Sequence, residues 1–114
     1  MTKHKVVLFP FPFDNLTGTK VRPAVCLTDP IGPYRHVALA FITSSVPESG
    51  LATDLVLDAN DPDFSSTGLR VSSTVQLHRM MTATTSLIRR DLGKLPPRLQ
   101  SAVDDRLRQL FGLK

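Results

Sequence analysis

Short apolar segments separated by turn residues run along most of the chain, and this pattern predicts β-strands. The segments cover residues 6–11, 21–28, 37–43, 54–58 and 73–77, with an extension to residue 81 left open, and a weaker sixth segment covers 87–92. Pro10 and Pro12 cannot donate a ladder hydrogen bond, so the first strand should end or lie on a sheet edge near them. Strands this short, joined by regular turns, predict a small, mostly antiparallel barrel or sandwich.

The last segment of the chain follows a helical period instead. Leu99, Val103, Leu107, Leu110 and Phe111 fall on one face at helical spacing. Two prolines precede the run, where a helix start tolerates them, and a glycine follows it as a C-terminal stop signal. We expect an amphipathic helix over residues 97–111 that packs on the sheet.

Length and charge give one domain with a basic balance. The chain has 114 residues, a net charge of +4 and a pI of about 9.7, which fits a single domain over residues 1–114. A basic domain favours polyanionic partners, nucleic acid first. Residues 36–69 contain no Lys or Arg, whereas arginines recur after them. This segregation is compatible with two solvated faces of opposite sign, or with a basic groove that includes Lys20 and Arg22.

Cysteine usage and hydropathy bear on the compartment. The single cysteine, Cys26, lies in an apolar run, so we expect a buried side chain with a raised pKa and poor nucleophilicity. One cysteine forms no intrachain disulfide, which fits a reducing cytosol and predicts a cytoplasmic protein. No apolar run approaches the length of a membrane span, and no membrane partner is expected.

Most familiar catalytic motifs are missing from the sequence. The three histidines are scattered and there is one cysteine, so no metal site is expected. The loop LTGTK has a single glycine and matches neither a Walker motif nor a dinucleotide fingerprint. No G-x-S-x-G occurs, so a hydrolase triad lacks support. We therefore expect a protein without a cofactor.

An arginine and a threonine at strand ends remain as candidates. Arg22 stands at the mouth of a polar loop between two strands, and Thr43 ends the third strand. A guanidinium can hold a phosphate through two parallel hydrogen bonds, and a hydroxyl can donate to the same group. RNA supplies its own nucleophile, the 2′-hydroxyl beside each phosphate. From the residues alone, Arg22 can equally be a surface ion-pair residue and Thr43 a strand cap.

The ordered segments resemble one protein family. The run VVLFPFPFDNLTGTKVRPAVCL at residues 6–27 is similar to the start of the MazF/PemK toxins of bacterial toxin–antitoxin pairs. The similarity continues at AFITS (40–44), at residues 73–82 and at SLIRRDLGKL (86–95), and a closing helix follows in both. It thus extends over nearly the whole chain.

The resemblance implies a mostly β fold, a small SH3-like antiparallel β-barrel with a C-terminal helix, usually as a homodimer. It implies a metal-independent endoribonuclease that cuts single-stranded RNA (mRNA) at short motifs, leaving 2′,3′-cyclic phosphate and 5′-hydroxyl ends. The family's catalytic arginine and threonine fall on Arg22 and Thr43. The residues expected to contact the RNA are Asn15, Gly18, Lys20 and Ser44. The implied partner is an antitoxin whose acidic, partly disordered segment folds on the basic groove.

Two positions depart from the family pattern. His4-Lys5 replaces a usual Gly-Asp before the first strand, which should weaken the opening turn and removes a carboxylate. His78 stands where an acidic residue often follows the fifth strand, and a neutral imidazole can replace that base. His78 is then either a catalytic base or a structural histidine at the barrel edge whose hydrogen bonds are made within the protein. Two alternatives stay open: a CcdB-like inhibitor that binds DNA gyrase, and a decayed toxin that only binds its antitoxin.

Overall fold

The computed structural model describes residues 2–11 and 20–114. The predicted contact residues Asn15 and Gly18 therefore lie outside the described residues. Six strands precede one helix: β1 (Lys5–Phe11), β2 (Lys20–Cys26), β3 (His36–Thr43), β4 (Asp54–Leu57), β5 (Ser73–Thr84), β6 (Arg90–Lys94) and α1 (Pro97–Phe111). Two 3₁₀ turns, Phe64–Thr67 and Thr85–Leu87, flank β5.

The strands form one antiparallel sheet that curls into a half-barrel. Its order is β4-β5-β3-β2-β1-β6, and every pairing is antiparallel. The mostly β fold with a closing helix is confirmed. β1 pairs with β2 along its length, whereas its pairing with β6 ends at Leu8. Pro10 thus lies beyond the β6 ladder, where its missing N–H breaks no bond, as its sequence position predicts.

Apolar side chains pack on both faces of the sheet. The face covered by α1 carries the larger core, which includes Val6, Val25, Ile42, Leu77 and Leu95. The opposite face carries a second cluster with Val7, Phe9, Cys26, Leu39 and Phe41. The strands are therefore apolar on both sides, which explains their near-continuous apolar runs in the sequence.

The helix has the predicted bounds and the predicted signals. Pro96 precedes its first turn, and Gly112 adopts a left-handed conformation at φ 67° from which its N–H reaches the last carbonyls. Leu99 and Val103 are buried against the larger core. Phe111, which the periodicity placed on the same face, is instead 58% exposed at the last residue of the helix.

β5 differs from its prediction in length and shape. It continues to Thr84, and its register against β3 shifts between two neighbouring residues of that strand. Phe41 faces Gln76, whereas Ala40 faces Met80. The residues between, 77–79, form a bulge that bends the strand. The sixth strand begins at Arg90 rather than at residue 87, because Thr85–Leu87 forms a 3₁₀ turn.

Candidate active site

A cleft lies where the ladder between β2 and β3 ends. The two strands pair only at Ala24–Cys26, and the last pair is Ala24 with Phe41. One register step further would place Pro23 opposite Ile42, and the next would place Arg22 opposite Thr43. These residues, beyond the last pair, line a polar cleft of about 490 Å³. The described residues that line it are Val21, Arg22, Pro23, Phe41, Ile42, Thr43 and Ser44.

Pro23 explains why the ladder stops at this point. Leu27 donates its N–H to the carbonyl of Ala38 on β3, at 2.8 Å. Backbone groups alternate sides along a strand, so those of Val25, Pro23 and Val21 are also directed toward β3. Pro23 has no N–H and donates nothing to β3. The Arg-Pro step therefore ends the pairing next to the arginine, where the cleft lies.

Arg22 presents its charge at one wall of the cleft. Its side chain is exposed, and its Nη1 donates to the carbonyl of Val21 at 3.3 Å. No ion pair connects it to a carboxylate among the residues the structure describes. A guanidinium stays protonated at any physiological pH, and its remaining N–H groups can bind an anion in the cleft.

Thr43 supplies a hydroxyl on the opposite wall. Its Oγ1 lies 3.2 Å from the Oγ of Ser45, and either oxygen can be the donor. The buried Thr74, which faces Thr43 across the β3–β5 ladder, donates to the carbonyl of Ser45 at 2.8 Å. This bond fixes the segment after β3. When Ser45 donates to Thr43, the Thr43 hydroxyl hydrogen is directed elsewhere and can reach a ligand.

A second cation, which sequence reasoning missed, lies against Phe41 in the wall of the cleft. The guanidinium carbon of Arg79 lies 4.5 Å from the ring centroid of Phe41, a cation–π contact. Its Nη1 also donates to Gln76 Oε1 at 3.4 Å. In the sequence, Arg79 is only one of a run of arginines. The bulge at 77–79 places it beside the cleft, and no local signal announces that bulge.

His78 lies on the same bulge but outside the cleft lining. Its Nδ1 is 3.9 Å from Oδ1 of Asp54, whose side chain is only 7% exposed. That oxygen has no hydrogen-bond partner among the described residues, whereas Oδ2 accepts the N–H of Leu51 at 3.0 Å. The structure thus places His78 next to a buried carboxylate and does not place it against Arg22 and Thr43.

Of the other residues predicted to contact RNA, one lies in the cleft and one at the start of β2. Ser44 is exposed and lines the cleft. Lys20 is the first residue of β2, exposed and opposite Phe11, and it is not part of the described lining. Of the predicted site residues, the structure therefore brings Arg22, Thr43 and Ser44 together in one cleft.

The opening turn forms in spite of its unusual residue. His4 adopts φ 74°, a left-handed conformation that suits glycine, the usual residue of the family here. The N–H of Lys5 donates to the carbonyl of Thr2 at 3.0 Å, and that of His4 to Cys26 at 2.7 Å. The turn thus forms with a non-glycine residue at a left-handed φ, held by one backbone bond to β2, and the expected weakening stays a prediction.

Two groups near this turn have shifted pKa values. Burial, partly offset by Asp104 at 3.7 Å from Nε2, lowers the pKa of His4. Burial raises the pKa of the Cys26 thiol to about 11. The thiolate is therefore scarce at neutral pH, and the expectation that Cys26 is a poor nucleophile is confirmed.

The described part of the chain shows neither a metal-binding cluster nor a membrane-spanning helix. Residues 2–11 and 20–114 contain no group of three or more His, Cys, Asp or Glu side chains that could hold a metal ion. The one α-helix in these ranges is neither long nor apolar enough to cross a membrane.

Solved structures share this fold over nearly the whole chain. A toxin from Mycobacterium tuberculosis, MazF-mt6, superimposes with a TM-score of 0.72 at 24% identity, over 96% of this chain and 98% of that one. A mycobacterial endoribonuclease in complex with its cognate antitoxin gives 0.71 at 13% identity, over 100% and 97%. A MazE–MazF complex from Deinococcus radiodurans gives 0.68 at 20% identity, over 100% and 97%. At these identities the similarity shows the fold.

Sequence comparison identifies the family. No curated protein sequence matches the chain. The profile of the PemK-like, MazF-like toxins of type II toxin–antitoxin systems matches residues 3–111, which include every strand and the helix. MazF-type toxins are generally endoribonucleases. The chain therefore belongs to the PemK-like, MazF-like toxins of type II toxin–antitoxin systems.

Proposed function

We propose that this toxin is a metal-independent endoribonuclease that cleaves single-stranded RNA in the Arg22–Thr43 cleft. The observation that carries the proposal is that Arg22 and Thr43, just beyond the end of the β2–β3 ladder, bring a cation and a hydroxyl to one polar cleft of about 490 Å³. A phosphodiester can accept hydrogen bonds from both the guanidinium of Arg22 and the hydroxyl of Thr43. An RNA phosphodiester also supplies the nucleophile, so the site needs no metal.

The reaction is an internal transfer at phosphorus. The 2′-oxygen forms a bond to the adjacent phosphorus while the bond from phosphorus to the 5′-oxygen breaks. The 2′-hydroxyl loses its proton, and the departing 5′-oxygen gains one. The products are a 2′,3′-cyclic phosphate and a 5′-hydroxyl. Arg22 stabilises the charge that develops on the phosphorane, and Thr43 donates to a non-bridging oxygen.

Proton transfer requires a group that the described lining does not contain. The seven described lining residues include no His, Cys, Asp, Glu or Lys. His78 is the candidate base, because its bulge continues into Arg79, which stacks on the cleft residue Phe41. Asp54 Oδ1 would accept the Nδ1 proton and leave Nε2 free to take a proton from RNA that extends over the bulge.

Two further parts of the proposal concern partners. The cleft and Arg79 give a cationic surface that suits an acidic, partly disordered antitoxin segment, which would exclude RNA when it folds there. The mycobacterial endoribonuclease of similar fold was solved in complex with its antitoxin. We also propose a homodimer in the cytoplasm, on the strength of the family resemblance.

The test uses purified protein and a long RNA of defined sequence in the presence of EDTA, followed by chemical mapping of the ends. We expect cleavage at a short motif, with 5′-hydroxyl and 2′,3′-cyclic phosphate ends. Arg22→Ala should lower the rate by about 10²–10³-fold, the effect of losing one transition-state donor. Arg108→Ala is the matched control, because Arg108 is exposed on α1 and pairs with Asp105.

Each alternative gives a different result in this assay. Full cleavage by Arg22→Ala would refute the assignment of the site. DNA damage linked to gyrase without RNA cleavage would identify the CcdB-like inhibitor. Tight antitoxin binding by a wild-type protein that leaves all RNA intact would identify a decayed toxin.

A further inference from the structure

A second cleft lies beside the Arg22–Thr43 cleft and has a different chemical character. It encloses about 310 Å³ between β1, β6 and the segment that follows the Phe64–Thr67 turn. Its floor is apolar, with the half-buried side chains of Leu8, Leu69 and Leu92. Two exposed arginines, Arg70 and Arg90, stand at its rim. We call it the leucine-floored cleft.

The two clefts meet where the β2–β3 ladder ends. Pro23 and Ser44 line both of them. A linear ligand held at Arg22 and Thr43 therefore continues along Pro23 and Ser44 into the leucine-floored cleft.

The walls of the leucine-floored cleft are fixed by backbone packing. Leu8 pairs with Pro23 on one side and with Arg90 on the other, so one row crosses three strands. Two strand spacings of about 4.8 Å each separate Pro23 from Arg90. On the far wall, Gly68 packs so closely that a Cβ there would lie 2.0 Å from the carbonyl oxygen of Leu92. The cavity is thus already formed before a ligand arrives.

Among the described residues, no carboxylate neutralises the charge of the rim arginines. Neither Arg70 nor Arg90 makes an ion pair within the described ranges, 2–11 and 20–114. The acidic neighbour of Arg90, Asp91, is bound by Lys5 at 3.1 Å. An apolar floor below two unneutralised guanidinium groups suits a ligand with a flat apolar part and an attached anion. A nucleotide has both, since its base has an apolar face and its phosphate is charged.

We propose that the leucine-floored cleft is the base subsite for a nucleotide next to the scissile phosphate, with Arg70 and Arg90 holding that nucleotide's phosphate. This subsite helps to select the cleavage motif, because the base must leave the RNA stack and fit a preformed cavity. The inference rests on the proposed function in one respect, that the chain takes single-stranded RNA.

The experiment measures binding without cleavage, so that its failure is distinct from failure of the proposed reaction. The probe is a mixed-sequence 2′-O-methyl RNA dodecamer, which lacks the nucleophile, and the comparison is the same strand with abasic sites. Affinity is followed by fluorescence anisotropy across a salt series. Arg70→Ala and Arg90→Ala should each weaken binding about tenfold and lower the salt slope by about 0.7. Arg89→Ala is the charge-matched control, because Arg89 precedes Arg90 and does not line this cleft.

A second variant tests the base rather than the phosphate. Val71 is 53% exposed at the mouth of the cleft, so Val71→Trp should block the mouth without disturbing the core. Wild-type protein should bind the base-bearing strand about tenfold more tightly than the abasic strand. Val71→Trp should abolish that difference and leave the salt slope unchanged.

Three outcomes would overturn the proposal. The first is that Arg70→Ala and Arg90→Ala bind like Arg89→Ala. The second is that wild-type protein binds both strands equally. The third is that Arg70→Ala and Arg90→Ala weaken binding of poly-L-glutamate while RNA binding is unchanged, since the cleft would then serve an acidic protein segment.

Discussion

Alanine substitution of two glycines tests how rigidly the leucine-floored cleft is built. A Cβ at Gly93 of β6 would lie 2.2 Å from the carbonyl oxygen of Ser66 and 2.6 Å from the carbonyl carbon of Thr67. At Gly68 it would lie 2.0 Å from the carbonyl oxygen of Leu92. All of these are backbone atoms, so no side chain can rotate away. The 3₁₀ turn and β6 must separate to admit either methyl group.

The structure orders the expected losses in the free energy of unfolding. Forcing a methyl group into a packed site costs about 1–3 kcal/mol, which is the expectation for Gly93→Ala. Gly68 also has φ +73°, and a left-handed conformation costs an L-residue about 1–2 kcal/mol more. Gly32 has φ +74° with nothing within 4 Å of a Cβ, so Gly32→Ala should show the backbone cost alone. Gly68→Ala is therefore the most destabilising of the three.

Urea unfolding and thermal melts followed by circular dichroism measure these differences. Each kcal/mol should lower Tm by roughly 4–8 °C in a domain of about this size. A Gly93→Ala protein as stable as wild type would refute the close backbone packing of β6 on the turn. Equal losses for Gly32→Ala and Gly68→Ala would show that the conformational cost alone accounts for the effect. Should Gly68→Ala fail to fold, Gly93→Ala and Gly32→Ala still make the comparison.

Three further predictions follow from other parts of the molecule. Burial lowers the pKa of His4, so the folded state binds its proton less readily than the unfolded chain, and this contribution to stability is lost as pH falls below about 6.5. The urea midpoint should fall as the pH is lowered below about 6.5. The same fall in a His4→Asn protein would contradict the assignment of this loss to His4. Leu99→Ala should lower the free energy of unfolding by about 2–5 kcal/mol, because Leu99 is only 6% exposed. Leu113 is 64% exposed, so Leu113→Ala should lower it by almost nothing. Equal urea midpoints for the two variants would refute the packing of α1. His78→Ala should slow RNA cleavage about 10²–10⁴-fold, and Asp54→Asn should also slow it. Wild-type cleavage rates in both variants would exclude the pair from proton transfer.

Local signals allowed the elements of the fold to be predicted well. The helix was predicted to the residue, because Pro96 and Gly112 mark its ends and its apolar positions repeat at one period. The core strands were located because both of their faces are buried, so their apolar runs are nearly continuous. Phe111 was misplaced because periodicity identifies a helix face and gives no information on where the sheet beneath it ends.

The candidate site was only partly predictable, since strand pairing sets much of it. Arg22 and Thr43 were found because each stands where a strand meets a loop. Arg79 was missed, because its position depends on a register shift between β3 and β5. No local signal predicts Asp54 as the neighbour of His78, since β4 and β5 meet only through pairing of residues that are distant in the chain. Such contacts leave no periodic trace in the chain.

The Arg-Pro step links the chemistry of the cleft to its architecture. Arg22 contributes the charge, and Pro23 ends the β2–β3 ladder because it has no N–H to donate to β3. Pro23 also lines both the Arg22–Thr43 cleft and the leucine-floored cleft. The dipeptide is therefore one structural unit, in which the arginine supplies a cation and the proline ends the ladder beside it.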